Sequence, residues 1–320
     1  MKPSFFDLVE TRIRLVEERM RGESAHHHPD LQAVLAYLLS SGGKRIRPTV
    51  SLLTGGMLGA DEGPLLNLAA AVELLHTATL VHDDLIDGAM LRRGIPTLNT
   101  RWSPAATVLA GDYIFARSAV LAANTNSVVL MRIFSETLST IVSGEITQLF
   151  TSRGSASRDD YYQRIYAKTA SLFQTSAYCA ALLSPVDEPV LEAMKTFGYN
   201  LGMAFQIVDD ILDFTGEQAT VGKPVASDLR QGLVTLPAIY YAEAHPEDAD
   251  MQLVLQGEYN DADAMLRLID VIRRSGTVQQ AMDEAREFTA RGLDAISGLP
   301  DNAEHAALED LAAYIVDREI

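Results

Sequence analysis

The sequence predicts an all-α protein, a single-domain helical bundle spanning residues 1–320 around a central cavity. Three observations predict it. Apolar residues recur at helical spacing through nearly every segment, as Phe6, Val9, Ile13, Val16 and Met20 do at the start. No stretch alternates with the period of two that marks a half-buried strand. Neither a repeat of solenoid length nor a domain linker interrupts the 320 residues, 48% of them hydrophobic and able to bury a large core.

Each element has a local reason. The first helix stops near Gly22, and His26-His27-His28-Pro29 follows. Consecutive histidines do not share a helix face, so the triplet reads as a surface loop rather than a metal site. A short helix over Leu31–Leu39 ends at Ser40-Ser41-Gly42-Gly43. The apolar run from Val72 to His82 leads into an acidic cluster and breaks at Gly88 to Gly94, before Pro96. Ser103-Pro104 pairs an N-cap with proline at the first helical position and opens a helix to about Asn124. Further helices run from Val128 to Phe150, through Lys168-Thr169 to before Pro185, and from near Pro189 to Gly216. Residues 153–157 and 222–228 read as loops. Leu236-Pro237 starts the last group, helical hairpins punctuated by Pro246, Gly257, Gly276 and Pro300.

Two acidic stretches repeat one spacing: Asp83-Asp84-Leu85-Ile86-Asp87 and Asp209-Asp210-Ile211-Leu212-Asp213. On a helix, positions i, i+1 and i+4 span an arc of about 100°, so each triad is expected to share one side. Like charges crowded in apolar surroundings require a compensating cation. Carboxylates without cysteine neighbours suit a hard divalent ion, and Mg²⁺ in particular takes a few carboxylates, waters and substrate phosphates. One such cluster in an acidic protein reads more readily as a solvated face. Two copies far apart in sequence favour a metal site.

Composition bounds the partners. A net charge of −17 and pI near 4.8 exclude nucleic acid or an anionic membrane surface as the main partner, since both need a basic footprint. Cys179 is the single cysteine, in an Ala/Leu-rich run, and reads as a core thiol in a reducing compartment. The first 20 residues lack a secretory pattern, and no integral membrane segment is expected. The expected location is cytoplasmic. Against the acidic average, Gly42-Gly43-Lys44-Arg45-Ile46-Arg47-Pro48 gathers cations beside a glycine turn, and Arg92-Arg93-Gly94 follows the first acidic motif. Cations collected near acid clusters look like a site for metal-bridged phosphate.

Taken in order, Gly42-Gly43-Lys44-Arg45-Ile46-Arg47-Pro48, His76, the first DDxxD, Arg92-Arg93-Gly94, Lys168-Thr169, Gln206, the second DDxxD and Gly222-Lys223 resemble the trans-isoprenyl diphosphate synthases, or polyprenyl synthetases. The match covers nearly the whole length. The resemblance implies the isoprenoid synthase type of helical bundle, usually a homodimer. It implies an allylic diphosphate bound through Mg²⁺, three ions per site, by Asp83, Asp87 and Asp209, with Asp84, Asp210 and Asp213 nearby or acting through water. Arg92, Lys168 and Lys223 would add positive charge around it, and Lys44, Arg47, His76 and Arg93 would hold isopentenyl diphosphate. Thr169 and Gln206 resemble the residues whose oxygens face the allylic cation. His76 lies about 700° upstream of Asp83, nearly the same face, whereas His82 is off that azimuth and reads as structural. Many members carry a lysine where this chain has Leu233.

In this family, product length follows from what floors the apolar tunnel upstream of the first motif. Short-chain relatives often have an aromatic four or five residues before the first aspartate; here those positions are Thr79 and Ala78. The next layer offers Met131 and Phe134, so a medium- or long-chain product is expected, with geranylgeranyl or farnesyl diphosphate as the alternative. A class I terpene cyclase would not need a second DDxxD or the isopentenyl-site cations. A regulatory subunit of a two-component synthase typically has eroded acidic motifs, and these are intact.

Overall fold

A computed structural model describes residues 4–23, 29–40, 42–92, 94–151, 156–215, 225–258 and 260–317. The histidine triplet, Arg93, most of the 153–157 loop, Gly216, Gly222 and Lys223 lie outside the described residues.

The described chain is helical almost throughout. Its first half comprises α1 (Ser4–Gly22), α2 (Pro29–Ser40), α3 (Ile46–Leu58), α4 (Glu62–Ile86), α5 (Pro104–Ala123) and α6 (Val128–Thr151). Then come α7 (Arg158–Ile165), a π-helical turn (Tyr166–Ala170), α8 (Ser171–Leu182) and α9 (Glu188–Thr215). Helices Ser227–Arg230, Leu236–Ala244, Ala249–Leu255, Ala262–Arg274, Thr277–Ile296 and Ala303–Val316 complete it.

Local chemistry accounts for the boundaries. The Ser103 hydroxyl accepts from the Ala106 N–H with Pro104 at the first helical position, as the sequence predicts. Ser157, Asp248 and Asp261 cap the helices that follow them in the same way. Gly257 and Gly276 adopt the positive φ that ends one helix and begins the next. The expectation of no strand is corrected in one place. Leu91–Arg92 pairs antiparallel with Ile95–Pro96, because Gly94 at φ 75° allows a tight reversal.

The helices gather into two compact units. One comprises Met1–Glu136, Thr175–Lys195 and Gly298–Asp310; the other comprises Thr137–Gln174, Thr196–Ser297 and Leu311–Ile320. The core of the first unit is α4, buried along most of its length and packed by α1, α3 and α5. In the second, Leu236–Ala244 packs on Thr277–Ile296. Cys179 is fully buried, as expected of a core thiol, and burial pushes its pKa up.

Two helices, α4 and α5, are long and apolar enough by length and composition for a membrane span, with charged residues interrupting each: Glu73 in α4, Asp112 and Arg117 in α5. For α4 the reason is that a central helix is apolar all round, with 67% of its apolar window buried inside the protein.

Candidate active site

Both acidic motifs occupy the C-terminal turns of long helices. Asp83 and Asp84 lie in the last turn of α4 and Asp87 is its C-cap, while Asp209, Asp210 and Asp213 lie in the last two turns of α9. A helix C-terminus already carries about half a unit of negative charge. Carboxylates there are destabilised, and a bound cation would relieve the charge.

The three aspartates of the first motif do not point the same way, a correction to the shared-side expectation. Asp87 is exposed and Asp83 half-buried, but Asp84 is only 7% exposed. The small hairpin folds Arg92 back onto Asp84, its Nε 2.8 and 2.9 Å from the two carboxylate oxygens. A second guanidinium nitrogen lies 2.8 Å from Oδ1. Successive helical residues differ by about 100° in azimuth, enough to turn one carboxylate of the pair inward. Next door, His82 is structural, as the sequence reading has it: its Nε2 lies 3.2 Å from the Val108 carbonyl. A Cβ at Gly111 would sit 2.1 Å from that nitrogen, so glycine here leaves room for the His82 ring to lie against α5.

The second motif divides similarly. Asp209 is exposed and Asp210 is 4% exposed. Asp210 Oδ1 accepts from Gln206 Nε2 at 2.7 Å and Oδ2 from the Tyr161 hydroxyl at 2.8 Å. Gln206 Oε1 in turn accepts from the Thr169 hydroxyl at 2.6 Å. Burial first, then the charges of Asp228 and Asp209, push the Asp210 carboxyl well above the usual carboxylate range, against the two hydrogen bonds. Asp213 accepts from the backbone N–H groups of Ser227 and Asp228, both at 3.1 Å, and so fixes the segment after the loop. That segment enters through Ala226 at φ 53°, a left-handed conformation unusual for a residue with a Cβ.

Lys168 and Thr169 fall in the π turn rather than in regular helix, with the Ser171 N–H bonded to the Tyr166 carbonyl. Such turns insert one extra residue and re-aim side chains. Here Lys168 Nζ reaches Glu145 Oε1 at 3.2 Å and Thr169 faces Gln206. Two glycines admit the turn, since a Cβ at Gly144 would lie 2.5 Å from Ala167 Cβ and one at Gly202 2.5 Å from Ala170 Cα.

Of the other expected residues, Lys44 is exposed, Arg47 buried and His76 half-buried on α4. Ala78 and Phe134 are buried in the first unit, and the Thr79 hydroxyl bonds the His76 carbonyl at 2.8 Å. Leu233 is half-buried directly after Gly232 at φ 79°. The sequence gives no signal for Tyr161, which lies 49 positions from Asp210, or for the pairing of Arg45 with Glu73.

Magnesium fits this donor set. Among the described residues, no three His, Cys, Asp or Glu side chains are placed to hold a metal ion by themselves. Mg²⁺ is ordinarily held by one or two carboxylates together with water and substrate phosphates. Burial is the main reason the Asp210 carboxyl is raised, and the charges of Asp228 and Asp209 add to it; a divalent ion on Asp209 would offset only that added part.

Comparisons with known proteins agree in kind. The polyprenyl synthetase family model matches residues 28–272. Heptaprenyl diphosphate synthase component 2 of Geobacillus stearothermophilus is 35% identical over 317 residues, covering 99% of this chain and 98% of that protein. A decaprenyl diphosphate synthase structure from Rhodobacter capsulatus superposes with a TM-score of 0.91 at 33% identity, covering 98% of each chain. A polyprenyl synthase from Caulobacter crescentus, solved with calcium and isoprenyl diphosphate, gives 0.88 at 34% identity, covering 100% of this chain and 99% of that one.

Proposed function

The chain belongs to the polyprenyl synthetase family, and from that premise we propose that it extends an allylic diphosphate by head-to-tail condensation with isopentenyl diphosphate, giving a medium- or long-chain all-trans polyprenyl diphosphate. The carrying observation is that both acidic motifs are intact and end their helices with a more exposed carboxylate beside a buried, protein-bound one. Relatives named for heptaprenyl and decaprenyl products support the chain-length class. Residues 1–320 are read as one polyprenyl synthetase domain.

In this reading the direct metal ligands are Asp83, Asp87 and Asp209. Asp84, Asp210 and Asp213 act behind them, because protein donors already occupy their oxygens. Mg²⁺, three ions per site when bound, supplies charge stabilisation to the departing diphosphate. Arg92, Lys168 and Lys223 add fixed positive charge around the leaving group as the carbon–oxygen bond ionises to an allylic carbocation. Lys44, Arg47, His76 and Arg93 hold isopentenyl diphosphate so that its double bond attacks that carbon. Thr169 and Gln206 present oxygen towards the cation, and the proton lost from the new product leaves to diphosphate. The protein works in the cytoplasm. It works as a homodimer, supported by exposed apolar side chains such as Val108 and Leu109 on α5, at 41% and 67% exposure.

A second reading has its own support. The Geobacillus relative is named as one component of a synthase, so this chain would need a partner subunit. Incubating the purified protein alone with isopentenyl diphosphate, a series of allylic primers and Mg²⁺, then sizing the products, separates the two. Long-chain product from the lone chain supports the first reading. Product only after adding a second component supports the other, and no product under either condition overturns both.

A further inference from the structure

The sequence reads Lys44-Arg45-Ile46-Arg47 as one group of cations, but the structure separates the middle one from its neighbours. The Arg45 side chain is 9% exposed, and the residue stands at φ 50°, ψ 36° immediately before α3. A residue with a Cβ has no intrinsic preference for that left-handed conformation, so the side-chain contacts hold it there. Nη1 lies 2.8 Å from Glu73 Oε1 on α4, Nε 3.1 Å from Glu17 Oε1 on α1, and Nη2 3.4 Å from the Leu39 carbonyl on α2. The Arg45 carbonyl also accepts from both the N–H and the hydroxyl of Thr49, at 3.0 and 2.8 Å. One guanidinium therefore ties three helices to the start of a fourth.

Glu73 has the matching position. Its side chain is 6% exposed, and it stands one turn before His76 on α4. We propose that Arg45 and Glu73 are a positioning pair that sets the spacing between Lys44 and Arg47 on one side and His76 on the other, and so governs isopentenyl diphosphate binding. The inference rests on the reading of those three residues given above. Neither member of the pair need touch the substrate. Arginine suits the task because its planar fork engages two carboxylates at fixed angles, which a lysine ammonium does not.

The test compares wild type with Glu73→Gln and Arg45→Lys. It uses steady-state kinetics for each substrate, calorimetric titration of isopentenyl diphosphate in the absence of an allylic partner, and thermal melting. A misplacement of about 1 Å can weaken a site by up to roughly a hundredfold. Glu73→Gln should therefore raise the isopentenyl diphosphate KM and Kd on the order of tenfold or more, with kcat and the allylic KM held within about twofold. Arg45→Lys, which keeps the charge, should lie between Glu73→Gln and wild type. Unchanged isopentenyl diphosphate affinity in folded variants overturns the pairing role. So does a uniform fall of every parameter together with the melting temperature, or a failure of both variants to fold, since either marks a purely structural pair. A wild type that turns over allylic substrate only without isopentenyl diphosphate would instead overturn the functional reading, and the pair's purpose with it.

Discussion

Replacing Gly202 with alanine should separate α9 from the turn that presents Lys168 and Thr169. A Cβ at position 202 would lie 2.5 Å from Ala170 Cα, 2.8 Å from Ala170 Cβ and 2.9 Å from Phe173 Cβ. Carbon atoms in contact settle at about 3.5–4.0 Å, so the two elements must move apart by roughly 1 Å. None of the three atoms is the far end of a flexible side chain, so the strain cannot be relieved by a rotamer change. Overpacking of this kind costs about 1–3 kcal/mol, or roughly 2–10 °C in melting temperature. The 2.6 Å bond from Thr169 to Gln206 spans the same contact, and lengthening it by about 1 Å abolishes it. Gln206 also donates to Asp210, so the disturbance reaches the second acidic motif. Misalignment on this scale lowers kcat by about tenfold to a hundredfold. Calorimetric melting and saturating steady-state rates measure both effects. Gly63→Ala is the control: nothing lies within 4 Å of its added Cβ, and helix α4 should gain up to about 1 kcal/mol. A Gly202→Ala protein with wild-type melting temperature and kcat would refute the argument that this glycine fixes the turn.

Three further outcomes are expected. Ala78→Tyr should shorten the products and Phe134→Ala lengthen them, the latter at about 3–5 kcal/mol of stability; product sizing with no shift in either variant removes the tunnel argument. Leu233→Lys should lower the allylic KM by adding the cation that the family resemblance implies for this position, and an unchanged KM would show that a lysine here has no role in holding that substrate. Ala226→Gly should raise stability by about 1 kcal/mol by removing the left-handed cost at φ 53°, and a lower melting temperature would contradict it.

Helix positions were legible because apolar spacing, the Ser103-Pro104 cap and the glycine punctuation are all local signals. The residue types of the acidic and basic motifs were legible for the same reason. What could not be read was which members of each motif turn inward. That depends on partners distant in the chain, such as Tyr161 for Asp210 and Glu73 for Arg45, and on glycines whose purpose is the approach of another helix. The π turn was hidden too. Tyr166-Ala167-Lys168-Thr169-Ala170 has no unusual residue, and the room for its extra residue comes from Gly144 and Gly202, far along the chain.

The paired aspartates gain an explanation from this inward turn. A carboxylate that grips a cation between substrate phosphates must be accessible, yet an unsupported charged side chain at a helix end is mobile. Neighbouring residues about 100° apart divide the two requirements. Asp84 and Asp210 are buried and saturated by Arg92 or by Gln206 and Tyr161, which locks the final turn of each helix. Beside them Asp83 is half-buried and Asp209 exposed, with Asp87 about 40° from Asp83 in azimuth. On the proposed reading, the inner carboxylate of each motif serves rigidity and the outer one metal affinity. On that logic, neutralising the inner member should lower melting temperature along with activity, whereas neutralising the outer member should lower activity alone.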